Sequence, residues 1–318
     1  MSGMGRVIVI WNEAAGQKDG GDGRRRIERR LHRQASEFVI RDWEGGDELA
    51  GHVHEAIAGN YDLLLVAGGD GTIRSVADIL LRSRSSLPLA ILPKGSANVL
   101  ARALGYPTDS EEALEAIEQG AIIKIDAGLV TEADRHFLIS TSIGAHAELV
   151  RETSREMKRE LGFLAYVTAV FRTIVKIRPR RVTLDFAGRR RRWRTSSILV
   201  TNTGVFLPMR NALEKEISER DGRLDLIVTR RGTILDLVGL LLHAIVGKRF
   251  DPWRTEHIQV EEVRIEAADP MPVQIDGEPL GQTPVTIQIQ PQAVRVVAPQ
   301  PVKDTNAAAT PRPNPATT

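Results

Sequence analysis

Three glycines, an aspartate and a threonine in Gly68-Gly69-Asp70-Gly71-Thr72 form the stretch of this chain best suited to holding an anion. Glycines let the backbone turn sharply and let a phosphate approach amide N–H groups with no Cβ in the way. Asp70 adds a carboxylate that can hold a metal or orient a hydroxyl. A second loop of small residues, Pro93-Lys94-Gly95-Ser96-Ala97-Asn98, offers Ser96 and Asn98 as hydrogen-bond donors. A third, Trp11-Asn12-Glu13-Ala14-Ala15-Gly16, follows the first apolar run of the chain. Read alone, Gly68–Thr72 is equally a tight turn with an acidic helix cap. Three such loops together favour a nucleotide site over coincident turns.

Each loop needs an element to aim it. Residues 7–10, 63–67 and 89–92 are unbroken apolar runs, as expected of strands buried in a parallel sheet. Helical patterns follow over 73–81 and from 99 to 104, so the loops join strand ends to helices, where open α/β sheets bind ligands. Further helices over 24–35 and 47–58 and from 111, with a strand over 37–40, complete an alternation from about residue 5 to 125. That alternation predicts a Rossmann-like parallel α/β domain. From Ala121 the period changes to two, with strands over 120–129, 136–143, 182–186, 192–200 and 224–228 and a hairpin turn at Ala187-Gly188. Residues 126–298 are expected to form an antiparallel β-sandwich domain with inserted helices over 154–177 and 233–246, and 299–318 a disordered tail.

Composition narrows the function. The 318 residues carry 42% hydrophobic and 26% charged side chains and a net charge of only +2, ordinary for a globular protein and too small for a general polyanion binder, so no nucleic-acid partner is expected. Basic residues cluster instead, at Arg24-Arg25-Arg26 with Arg29-Arg30, at 178–181 and at 189–194. No apolar run is long enough to span a bilayer, the opening residues lack a signal-peptide pattern, and there is no cysteine. The expectation is a cytoplasmic protein that meets membranes peripherally, through those basic clusters and its amphipathic helices. Oligomeric state stays open, with a homodimer as one option. The seven histidines show no metal-binding spacing.

The glycine loop and Pro93-Lys94-Gly95-Ser96-Ala97-Asn98-Val99-Leu100-Ala101-Arg102-Ala103-Leu104-Gly105 resemble the diacylglycerol kinase catalytic-domain family. The resemblance continues through Ile125-Asp126-Ala127-Gly128, Ser142-Ile143-Gly144, Leu161-Gly162 with Tyr166, and Val200-Thr201-Asn202, then Asp221-Gly222-Arg223-Leu224-Asp225 and Gln274-Ile275-Asp276-Gly277-Glu278. It implies an ATP- and Mg²⁺-dependent kinase acting on a hydroxyl of a membrane lipid of the diacylglycerol or sphingoid type. It also implies that Asn12, Gly68, Gly69, Asp70, Gly71, Thr72, Gly95, Ser96 and Asn98 surround the nucleotide. Asp221, with main-chain carbonyls of Ser218 and Arg223, would lie near Mg²⁺. Glu278 would be the general base, with Asp70 its helper on the phosphate side. Without the resemblance, Asp221-Gly222 is an ordinary turn, and residues 275–279 a surface hairpin between strands at 272–275 and 285–289.

Four departures stand out. The third loop shows Asn12-Glu13-Ala14-Ala15-Gly16 in place of the Asn-Pro-x-Ser-Gly pattern of the family. Asp42 replaces a threonine that faces the nucleotide, and its charge would repel phosphate. Asn202 precedes Val205-Phe206-Leu207-Pro208 rather than a glycine cluster, and Ser142 and His146 replace a glycine and an acidic residue near Gly144. Lys94, at a position rarely basic in the family, is read as solvated. Rival readings are an NAD kinase-like enzyme, which shares the glycine loop, and a non-catalytic nucleotide or lipid sensor.

Overall fold

The computed structural model describes residues 4–15, 22–144, 147, 179–204, 217–230 and 255–299. Outside them lie Gly16, His146, the two stretches 154–177 and 233–246 expected to be inserted helices, Leu161, Gly162, Tyr166, the stretch 205–208 and all but the first residue of the expected tail.

Four parallel strands carry the glycine loops. β1 (Arg6–Asn12), β2 (Glu37–Trp43), β3 (Leu63–Gly68) and β4 (Leu89–Pro93) pair in the order β2-β1-β3-β4. Every residue of β3 and β4 is buried, which is why both read as continuous apolar runs. The crossovers are α1 (Asp22–Gln34), α2 (Glu48–Ala58) and α3 (Asp70–Arg82), followed by α4 (Val99–Ala103) and α5 (Ser110–Glu118). α5 starts at a cap, Asp109, whose carboxylate accepts N–H from Glu111 and Glu112. Ion pairs such as Arg30–Glu118 at 2.6 Å bind α1 to α5.

Eleven strands follow: β5 (Ala121–Val130), β6 (Arg135–Phe137), β7 (Ser140–Gly144), β8 (Arg180–Phe186), β9 (Arg189–Thr201), β10 (Leu224–Arg230), β11 (Thr255–Val260), β12 (Glu262–Ala267), β13 (Pro272–Ile275), β14 (Glu278–Gln282) and β15 (Val285–Ala298). Their mutual pairing is antiparallel and they form the sandwich, so the α/β-plus-β fold class holds. Ala187-Gly188 is the turn between β8 and β9, as expected.

β15 joins the halves. It runs antiparallel to β12 and β5, changes register between Gln290 and Val294, then pairs parallel to β4 at Val296↔Leu89. The fifteen strands of the described residues thus form one continuous sheet. Two apolar cores result, and Val294, Val296 and Val297 belong to the core of the first half, with Val7, Leu65 and Ile91. Val285 and Ile287 belong to the second, with Phe137, Ile198 and Val263. Among the described residues no helix is long and apolar enough to cross a membrane.

Candidate active site

β3 and β4 end side by side, Gly68 opposite Pro93, so their loops leave the sheet together. The backbones touch: a Cβ on Gly95 would lie 2.7 Å from Gly69 Cα and 2.8 Å from Asn98 Oδ1. Only glycine allows that approach. Lys94 N–H donates to Gly68 O at 2.9 Å and holds the junction closed. α3 begins at Asp70 itself, with Gly69 as its cap. Asp70 is therefore not the cap; its Oδ1 accepts the Leu100 N–H at 3.2 Å and ties α3 to α4. The first amides of a helix lack partners within it, so those of α3 form an anion-favouring end beside the loop junction.

The third loop closes on the first. Asn12 Nδ2 donates to Thr72 Oγ1 at 2.7 Å, and Asn12 Oδ1 accepts from Ala14 N–H at 2.9 Å. Asn12, Gly68–Thr72 and Gly95–Asn98 thus share one end of the parallel sheet. Two sequence expectations change here. Asn98 spends its side chain on its own loop, accepting from Gly95 N–H and donating to Gly95 O, both at 2.8 Å, so it shapes the loop while Ser96 stays exposed. Lys94 is not simply solvated: its Nζ stands 3.9 Å from the Trp11 ring centroid and donates to Asn12 O at 3.4 Å. The charge on Asp42 is also answered. Arg24 of α1 donates to its two carboxylate oxygens at 2.6 and 3.2 Å, and to Glu13 at 2.9 Å.

On the acceptor side, Asp276 and Gly277 make the turn between β13 and β14, at φ of 44° and 88°. Glu278 is consequently the first residue of β14, and that strand intervenes before residue 285. The Asp276 carboxylate accepts three backbone N–H groups, from Leu138 at 2.9 Å, Ile139 at 3.1 Å and Ser140 at 2.7 Å. This grip breaks the expected strand over 136–143 into β6 and β7. Burial pushes the Asp276 carboxyl up to about 6, against the pull of those amides and of Arg74. Arg74 lies one helical turn after Asp70 on α3 and bonds the Glu278 carboxylate. Residues 204 positions apart in the chain meet at this contact.

A second cluster surrounds Asp221. Asp126 of β5 is fully buried; its two oxygens accept N–H from Gly222 and Gln292, each at 2.7 Å. Asn202, also buried, donates to Asp126 O at 2.9 Å and Leu138 O at 3.1 Å, fixing the strand ends to each other. Asp221 accepts from Arg223 N–H at 3.0 Å and Gln259 Nε2 at 3.3 Å, and Ser218 Oγ accepts from Arg220 N–H at 3.3 Å. Burial pushes the Asp221 carboxyl up to about 6; the Arg223 N–H opposes this, and the nearby Asp225 and Asp126 charges add to it. Among the described residues no three or more His, Cys, Asp or Glu form a ready metal cage. A hard cation taking one carboxylate plus carbonyl oxygens needs none, and a carboxylate crowded by like charge fits such an ion.

Comparison with known proteins shows the family of the chain. Residues 6–130 match the model of the diacylglycerol kinase catalytic domain, and residues 139–298 that of the YegS C-terminal NAD kinase beta sandwich-like domain. A protein of Pseudomonas aeruginosa named "Probable lipid kinase YegS-like" is 32% identical over 268 residues, covering 83% of this chain and 85% of that protein. The chain belongs to the diacylglycerol kinase catalytic-domain family of lipid kinases. An uncharacterized protein of Synechocystis sp. is 27% identical over 279 residues, covering 84% of this lipid-kinase family member but 60% of the relative. The crystal structure of a diacylglycerol kinase from Bacillus anthracis str. Sterne shares the fold, with a TM-score of 0.72 at 20% identity over 93% of this chain and 97% of that one.

Within this lipid-kinase frame, three supporting residues have roles that the sequence alone does not show. Asp126 and Asn202 lay inside quoted motifs, which was a signal without a role. Arg74 had none, because an arginine in a helical pattern reads as exposed, whereas here it is 2% exposed.

Proposed function

We propose that the protein transfers the γ-phosphoryl group of ATP, with Mg²⁺, to a hydroxyl of a membrane lipid of the diacylglycerol or sphingoid type. The observation that carries this reading is the Arg74–Glu278 contact, because it ties the late glutamate to the helix that starts at the glycine loop. The amides at the start of α3 and the Gly95–Ser96 loop would hold the nucleotide phosphates. Glu278 would take the proton from the lipid hydroxyl. The hydroxyl oxygen would then form its bond to γ-phosphorus as the bond to the bridging oxygen breaks and ADP leaves. Asp70 would act on the phosphate side. Asp221, with carbonyls of Ser218 and Arg223, would hold Mg²⁺, which when bound offsets phosphate charge.

The Arg24–Asp42 pair supports catalysis over the sensor reading, since it counters the charge that would repel phosphate. The solvent face of the β8–β9 hairpin, with Arg181, Arg192 and Arg194 exposed, would meet anionic headgroups at about 1 kcal/mol per residue. The test is incubation of the purified protein with labelled ATP, Mg²⁺, NAD and a total lipid extract, then identification of the labelled product. A phosphorylated lipid is expected from the wild type and none from Glu278→Gln. Label on NAD, or on no molecule, refutes the reading.

A further inference from the structure

Among the described residues, Arg74 is the largest fully buried side chain by volume. Its Nη2 bonds the Glu278 carboxylate and, at 3.2 Å, Ser75 Oγ. Its Nε and Nη1 are shielded from solvent and have no hydrogen-bond partner. A guanidinium carries five N–H donors, and burying it with some unmet is unfavourable. A buried ion pair is weak evidence for stability, so a guanidinium buried with donors unmet calls for another reason.

Its surroundings suggest what the strained burial achieves. Asp276 is gripped by three backbone amides, so the β13–β14 turn is anchored without Arg74. The Glu278 side chain is different: it is 49% exposed, and among the described residues Arg74 is its one hydrogen-bonding partner. Arg74 also lies one turn from Asp70, on the helix that opens at the glycine loop. We infer that Arg74 is a positioning residue that holds the Glu278 carboxylate toward the phosphate end of the glycine loops, coupling the nucleotide and acceptor sides. This inference rests on the kinase reading above.

The test compares the full-length wild type with Arg74→Met and Arg74→Lys in melting temperature, kcat and KM for ATP. Methionine removes the buried donors at similar length, and the Glu278 carboxylate left behind is half-exposed and can take up water, so Arg74→Met is expected to fold, with a melting temperature below that of the wild type. Its kcat should fall roughly a hundredfold, the cost of a catalytic group about 1 Å out of place, while KM for ATP stays within about twofold. Adding Glu278→Gln should lower kcat no further than Glu278→Gln alone, since both changes remove one function. An Arg74→Met protein with kcat within about threefold of wild type overturns the inference, and so does a raised KM with unchanged kcat. If Arg74→Met fails to fold, Arg74→Lys decides. A folded lysine variant with reduced kcat supports the inference, whereas full kcat, or failure to fold, overturns it in favour of a structural ion pair. A wild type without lipid-kinase activity fails the underlying reading instead, a result visible before any variant is compared.

Discussion

Replacing Gly95 by alanine tests whether the contact between the two glycine loops shapes the nucleotide site. The new Cβ would sit 2.7 Å from Gly69 Cα and 2.8 Å from Asn98 Oδ1, against ordinary carbon contacts of about 3.5–4 Å. The loops must therefore part by roughly 1 Å. Overpacking of this kind costs about 1–3 kcal/mol. For a protein of this size that is a melting temperature roughly 1.5–4.5 °C lower. A displaced loop loses one N–H bond to phosphate, worth about 1.5–3 kcal/mol, so affinity for Mg·ATP should drop roughly 10- to 100-fold. Titration calorimetry and thermal melting read both effects. Gly51→Ala is the control: this glycine lies inside α2, with nothing within 4 Å of the place its new methyl group would take, and the variant should gain about 0.5–1 kcal/mol with unchanged ATP affinity. Wild-type affinity and melting in Gly95→Ala would refute the reasoning.

Three further outcomes are expected. Arg24→Ala leaves Asp42 unanswered beside the phosphate loops and should weaken ATP binding roughly fivefold at low salt, less at 1 M salt; calorimetry should show recovery when Asp42→Thr is added, and an unchanged single variant would remove the role. The folded-state value of Asp276, about 6, lies above the ordinary carboxylate value of 3.8. The fold therefore binds an extra proton between those values, so the stability this group contributes is present below about 4 and lost as pH rises through 6. Denaturant unfolding from pH 4 to 7 should show that fall in the wild type but not in Asp276→Asn, and identical slopes would contradict it. Mg²⁺ should raise the melting temperature of the wild type and not of Asp221→Asn, whereas equal shifts would move the metal elsewhere.

The parallel half was legible because its signals are local. β3 and β4 are buried along their whole length and so appear as apolar runs, and the glycine loops sit where those runs stop. What escaped depends on partners far away in the chain. β14 has the sequence Glu-Pro-Leu-Gly-Gln, poor in strand formers, and is a strand because β13 pairs with it. The break between β6 and β7 is imposed by a carboxylate 136 to 138 residues downstream. β15 shows an ordinary strand pattern, yet nothing in it announces the return to β4. Gly68–Thr72 and Glu278 could be picked out individually, whereas Arg74, which joins them, could not. Its neighbours in sequence do not explain its burial; its neighbours in space do.

A crystal structure with Mg²⁺ and a non-hydrolysable ATP analogue would test the main claim most directly. The base should lie about 2.6–3.2 Å from the lipid hydroxyl oxygen, itself about 3–3.5 Å from phosphorus. The Glu278 carboxylate should accordingly stand about 5–6 Å from γ-phosphorus, with the phosphates against Gly69–Gly71 and Gly95. A nucleotide seated away from those loops, or a γ-phosphorus more than about 10 Å from Glu278 with no room between them for one hydroxyl, would contradict it.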